Sequence, residues 1–232
     1  MQLQTRNPTV ATYGSASSLL STHKVLRNTY MLLAATLLFS ALTAGLSMAI
    51  GVPRGVSLVA SLLAMGLIWF GLPRTANSEK GIYMVFAITG LLGFGLGPML
   101  SHYLKFPNGS QLVMTALGGT ALIFGSLSGY VLTTKKDFSF MGGFLMVGLI
   151  VLVLSSLALV GASFFGLNVS MAFIAISAAS MLLFSGLILF DTSRIIHGGE
   201  TNYIMATIAL YLDIINIFTS LLHLLGFASN DD

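Results

Sequence analysis

The chain has 232 residues, 56 % of them hydrophobic and only 7 % charged, with ten Lys/Arg against seven Asp/Glu for a formal charge of +3. A mean hydropathy of +0.93 excludes an ordinary soluble domain, in which about a quarter of residues carry charge. The absence of cysteine excludes a disulfide framework, a thiolate nucleophile and a Cys-ligated metal, and the scattered basic residues leave no nucleic-acid footprint.

Residues 1–27 are polar, rich in Ser and Thr, and end in the basic run His23-Lys24-Val25-Leu26-Arg27. The charges come too late, and the next apolar run is too long, for a signal peptide. This stretch reads as a largely disordered tail, with Leu19-Leu20 able to seed a short interfacial helix.

Seven apolar segments follow, each near the ~20 residues that cross a hydrocarbon core. They are Thr29–Val52, Gly55–Leu72, Gly81–Tyr103, Leu112–Leu132, Phe138–Phe165, Ser170–Arg194 and Tyr203–Phe227. Open sheets leave backbone unsatisfied in lipid, and the alternation of a barrel is missing, so the segments are helices. The expected fold is an all-α integral membrane protein, with a seven-helix bundle over residues 28–227 and a short acidic tail at 228–232.

Basic residues orient the bundle. Arg6, Lys24, Arg27, Arg74, Lys80, Lys135, Lys136 and Arg194 fall on the tail side, and only Arg54 and Lys105 on the other. The N-terminus is therefore cytoplasmic, and seven crossings put Asp231-Asp232 on the far side. Within the spans, Gly93/Gly97 and Gly125/Gly129 have the GxxxG spacing that lets helices approach closely. Gly97-Pro98 is a candidate break in the third helix.

Two acids are out of place. Glu79, Asp137 and Glu200 lie in polar connectors, whereas Asp191 and Asp213 are embedded in the last two apolar segments. An acid near the bilayer centre costs roughly 2.5–3.5 kcal/mol on insertion scales and marks a functional site by default. On the seventh segment Ala206, Ala209, Asp213, Asn216, Ser220 and His223 recur at one-face helical spacing. Asp191 could pair with Arg194 one turn on. It is also as far from Asn202 in sequence as Asp213 is, so a hairpin turning there sets both carboxyls at similar depth. Two carboxylates in a low dielectric cannot both ionise cheaply and would share a proton. Such a pair can sense pH, carry protons or bind a hard cation such as Ca²⁺, for which carbonyls or water would complete the ligands.

Phe190-Asp191, Tyr211-Leu212-Asp213, Gly97-Pro98-Met99-Leu100-Ser101-His102-Tyr103, Lys135-Lys136-Asp137-Phe138-Ser139-Phe140 and Leu225-Gly226-Phe227, spread over seven spans, resemble the Bax-inhibitor-1 (TMBIM) family. The segments from Ser21 to Tyr30 and from His197 to Ile204 resemble its bacterial YccA branch. That resemblance implies a non-enzymatic inner-membrane protein that binds the membrane protease FtsH and restrains its degradation of membrane proteins. The tail from Met1 to Arg27 would be the handle, and the C-terminal end would be periplasmic.

Other members of the family are pH-sensitive Ca²⁺ leak channels with paired aspartates on helices six and seven, which Asp191 and Asp213 match. A basic latch at the end of their helix two falls near Gly71 here, with Arg74 three residues on, so Arg74 and Arg194 are the candidate gating or ion-pair partners. Two membrane acids also describe intramembrane aspartyl proteases. Their motifs are missing: Phe190 precedes Asp191, and Leu210-Tyr211-Leu212 stands where Gly-x-Gly would.

Overall fold

A computed structural model describes residues 9–229, with side chains from residue 22. Residues 1–8 and 230–232, which include most of the expected acidic tail, lie outside the described residues. Seven helices are long and apolar enough to cross a membrane. They are α1 (Thr9–Ala49, its apolar part Thr22–Ala49), α2 (Arg54–Thr75), α3 (Lys80–Tyr103), α4 (Gly109–Thr134), α5 (Gly142–Phe164), α6 (Ser170–Ile196) and α7 (Tyr203–Ala228). All seven expected spans are present, and the protein is an all-α membrane bundle. Helix α1 begins at Thr9, inside the stretch that the sequence reading assigned to a polar tail. No proline interrupts it after Pro8.

The bundle is arranged around α7, which packs against α1, α3, α4 and α6. Helix α5 is the opposite case. It is the most apolar span, with a mean hydropathy of 2.7, and it packs on α6 while presenting Phe144, Leu154 and Phe164 outward. Apolar side chains on the outside are stable only against lipid, which is why the hydropathy pattern predicts spans better than it predicts the core.

Close approach of α1 and α3 rests on missing Cβ atoms. A Cβ on Gly93 would meet the Ser40 carbonyl, one on Gly97 would meet the Ser47 hydroxyl, and one on Gly90 would meet the Phe39 ring. The second GxxxG pair does not pack in this way. Gly125 and Gly129 face open space, because their side of α4 is not turned to a neighbouring helix. The expected break at Gly97-Pro98 is also absent: α3 runs unbroken through Pro98. Pro98 lacks the N–H that would bond the Phe94 carbonyl; one residue on, Ser57 of α2 donates to the Gly95 carbonyl and ties α2 to this stretch of α3. In α2 the irregularity is a π-helical stretch, Leu67–Gly71, just ahead of Pro73, where a widened turn accommodates the missing N–H.

The connector into α7 is well satisfied. Asn202 accepts from the Ile204 and Met205 N–H groups at 2.9 and 3.3 Å, capping the helix. Its amide donates to the Ala76 carbonyl at 3.0 Å and to Asn77 Oδ1 at 2.8 Å, so one side chain ties the α2–α3 turn to the start of α7. Gly198, at φ +76°, allows the reversal out of α6.

Candidate functional site: a buried acid pair between α6 and α7

The α6–α7 hairpin brings the Asp191 and Asp213 carboxyls within interaction range of one another. Both lie on facing turns of the hairpin that reverses before Asn202. Their environments differ. The side chain of Asp191 is 13 % exposed and lies 3.8 Å from the Arg194 guanidinium. Asp213 is 3 % exposed, and its Oδ2 has no hydrogen-bond partner among the described residues. Two facing carboxyls make a hydrogen bond only when a proton lies between them, so the pair is cohesive with one proton and repulsive without it.

Arg194 is shared. It contacts Glu200 at 3.6 Å as well as Asp191, donates to the Gly199 carbonyl at 3.3 Å and lies over the Phe190 ring at 5.5 Å. It joins the outer acid of the pair to the α6–α7 connector. Arg74 does not reach the acids; its guanidinium turns back to the Phe70 carbonyl at 2.6 Å, on its own helix.

The expected polar face of α7 is only partly a continuous stripe. Ser220 is buried, but Asn216 donates to its own helix at the Leu212 carbonyl, 2.8 Å away. His223 stands at the far end beside the Tyr103 ring, with centroids 6.2 Å apart. As a Ca²⁺ holder the site is thin. No group of three or more His, Cys, Asp or Glu occurs among the described residues. Two carboxylates fall short of the six to eight oxygens that calcium takes, and a guanidinium stands beside one of them.

Sequence reasoning missed two polar networks and a shorter hydrogen-bonded chain beside the first. Tyr211 is fully buried; its hydroxyl donates to the Thr89 carbonyl at 3.2 Å and meets Ser40 Oγ at 2.6 Å, linking α7 to α3 and α1. A tyrosine nine residues into an apolar span, far from the interfacial belt, was the available signal. Nearby, Thr192 donates to Ser128 Oγ at 3.4 Å, and Ser128 is hydrogen-bonded to Tyr30.

The second network is a clasp between the α4–α5 connector and the end of α6. Ser193 Oγ accepts from the Phe138 N–H at 2.9 Å and donates to Asp137 at 3.4 Å. His197 Nδ1 lies 2.9 Å from the Ser193 carbonyl, and its Nε2 lies 3.1 Å from the Lys135 carbonyl. Hydrogen bonds from Ser139, followed by the nearby His197, hold the Asp137 carboxyl below its ordinary value of 3.8. A depressed folded value means that the contribution of Asp137 is fully present above pH 3.8 and is lost as pH falls through the folded value. Asp137→Asn keeps an acceptor for Ser139 but loses the charge. The thermal-midpoint difference between this variant and wild type should be constant near neutrality and close below pH 3.8. A difference that persists undiminished well below pH 3.8 contradicts the clasp.

Comparison with known proteins is consistent across the chain. Residues 22–230 match the family model described as inhibitor of apoptosis-promoting Bax1. A protein of Escherichia coli K12 described as modulator of FtsH protease YccA is 52 % identical over 215 residues, covering 93 % of this chain and 95 % of the relative. An uncharacterized membrane protein of Vibrio cholerae is 51 % identical, covering 92 % of this chain and 93 % of the relative. A Pseudomonas aeruginosa protein, also uncharacterized, is 47 % identical, covering 90 % of this chain and 91 % of the relative.

Proposed function

From the premise that the chain belongs to the Bax inhibitor-1 family, we propose that it is an inner-membrane regulator, not a catalyst, that restrains degradation of membrane proteins by the FtsH protease. The observation that carries this reading is the 52 % identity, over nearly the full length of both chains, to the E. coli protein named for that role. A second E. coli strain has a relative at the same identity described as an inner membrane protein. The distribution of Lys and Arg supports a cytoplasmic N-terminus and a periplasmic C-terminus. The first 27 residues then lie on the same side as an ATP-driven protease that reaches its substrates from the cytoplasm, and they serve as its handle.

Affinity-tagged protein, solubilised in mild detergent, is expected to co-purify with FtsH, and deletion of residues 2–21 to reduce the recovered protease at least tenfold while the bundle remains folded. Equal recovery with the deleted chain would remove the tail from the interaction. No recovery with the intact chain would remove the reading itself.

The acid pair supports a second role that can coexist with the first, a pH-sensitive cation leak in which Ca²⁺ is cargo. Its support is the pairing itself: regulating a protease does not require two carboxyls to be buried against one another in lipid, whereas a proton-responsive switch does.

A further inference from the structure

The two basic side chains that break the charge bias, Arg54 and Lys105, are 51 positions apart in sequence, yet the fold brings them to one place. Together with Ser101 and His102 they line a recess of about 250 Å³ between the α1–α2 turn and the end of α3. Arg54 and His102 also line an adjoining recess of about 310 Å³, which reaches Ser57 and Leu58 on α2.

No acid borders either recess, and no ion pair or side-chain hydrogen bond occupies Arg54, His102 or Lys105 among the described residues, the His102 ring meeting only the Tyr103 and Phe106 rings edge-on. The first turn of α2 opens on the same place. Pro53 caps it without a side-chain acceptor, so its leading N–H groups add to the positive potential.

We propose that this recess, at the end of the bundle opposite the cytoplasmic clasp, binds the phosphate of an anionic phospholipid in the adjacent leaflet. The position favours a lipid over a free anion. Arg54 is the first residue of its span and Lys105 lies two residues past the end of the neighbouring one, so the charges sit at headgroup height. The rim is apolar and faces outward: Ile50, Val56 and Leu58 are 62, 49 and 65 % exposed. Acyl chains lying against these side chains would place a phosphate between Arg54 and Lys105, with the Ser101 hydroxyl and the His102 ring as further donors. The site also explains why two basic residues persist on the side that topology disfavours: each contributes attraction to an anionic headgroup. It is independent of both the protease and the leak readings.

The test is native mass spectrometry of the full-length protein in neutral detergent, titrated with phosphatidylglycerol or with phosphatidylcholine of the same chain length. Wild type should retain phosphatidylglycerol selectively. Arg54→Gln/Lys105→Gln should bind it about thirtyfold more weakly, since each basic group near a membrane surface contributes roughly a factor of five. Lys135→Gln/Lys136→Gln, at the opposite end, should bind as wild type does. Undiminished binding by a folded Arg54→Gln/Lys105→Gln variant overturns the site. Equal retention of the two lipids overturns recognition of the anion. Displacement of phosphatidylglycerol by millimolar inorganic phosphate overturns the assignment to lipid. If the double variant does not fold, the wild-type salt series decides: phosphatidylglycerol binding must weaken as salt is raised, and binding that is indifferent to salt overturns the proposal.

Discussion

Asp213→Asn should flatten the pH response of ion flux through the reconstituted protein and at the same time make the bundle more stable. In the wild-type protein Asp191 and Asp213 face one another, and two facing carboxyls attract only while they share a proton, so the attraction between α6 and α7 should vary with pH. An asparagine at 213 has its own N–H donors and can bond Asp191 with no titrating proton. The Oδ2 of Asp213, buried with no partner among the described residues, is a further local weakness. An unsatisfied buried polar atom costs about 1–3 kcal/mol; asparagine leaves the Oδ2 position unpartnered, so the gain, which comes from the new donor to Asp191 alone, should fall short of that range. The measurements are Ca²⁺ flux into proteoliposomes across pH, and thermal unfolding in detergent, for wild type, Asp213→Asn and the double asparagine variant. If wild-type flux responds to pH and the double variant tracks it, the pair is not the sensor. If neither conducts at any pH, the leak reading falls and the pair is left with a structural role. Stability that drops on Asp213→Asn would show that the native contact depends on the acid in a way the shared proton does not explain.

Gly93→Val should be the most damaging substitution among the glycines that bring α1 and α3 together. Its Cβ would strike the Ser40 carbonyl, which is backbone and cannot rotate aside. The clash can be relieved only by moving α1 away from α3. That motion also strains the Ser40–Tyr211–Thr89 network, because Ser40 is one residue of it. Overpacking typically costs 1–3 kcal/mol, and a clash against backbone lies at the upper end, about 3 kcal/mol. Gly118→Val is the control: nothing lies within 4 Å of a Cβ there, and its effect should stay within about 0.5 kcal/mol. Thermal unfolding of the two variants in the same detergent decides the matter. Comparable losses at both positions would mean that the close approach of α1 and α3 is not what Gly93 protects, since valine is the better helix former.

These two substitutions also show where reading the chain succeeded and where it stopped. Gly93/Gly97 and Gly125/Gly129 have the same spacing, yet only the first pair meets a partner helix. Spacing reports which residues share a face, and nothing in it says which way that face turns. Pro98 illustrates the same limit. A proline in a span was expected to break α3, but the helix continues, with Ser57 of α2 donating to the nearby Gly95 carbonyl. That donor comes from a residue 38 positions away.

The sequence by itself determined the number of spans, their approximate limits, the charge bias across the membrane and the pairing of Asp191 with Asp213. Each of these follows from local quantities: hydrocarbon length, the placement of Lys and Arg, and the near-symmetric reach of a helical hairpin about Asn202. Tertiary structure alone decided that α7 is the hub and α5 faces lipid, that Tyr211 closes a network with Ser40 and Thr89, and that Ser193 and His197 clasp the α4–α5 connector. It also decided that Arg54 and Lys105 share one recess. In a membrane every span must be apolar, so hydrophobicity cannot distinguish the face toward lipid from the face toward protein. That distinction is made by close approach and by polar groups finding one another across helices, and both depend on rotations and crossings that the one-dimensional pattern does not carry.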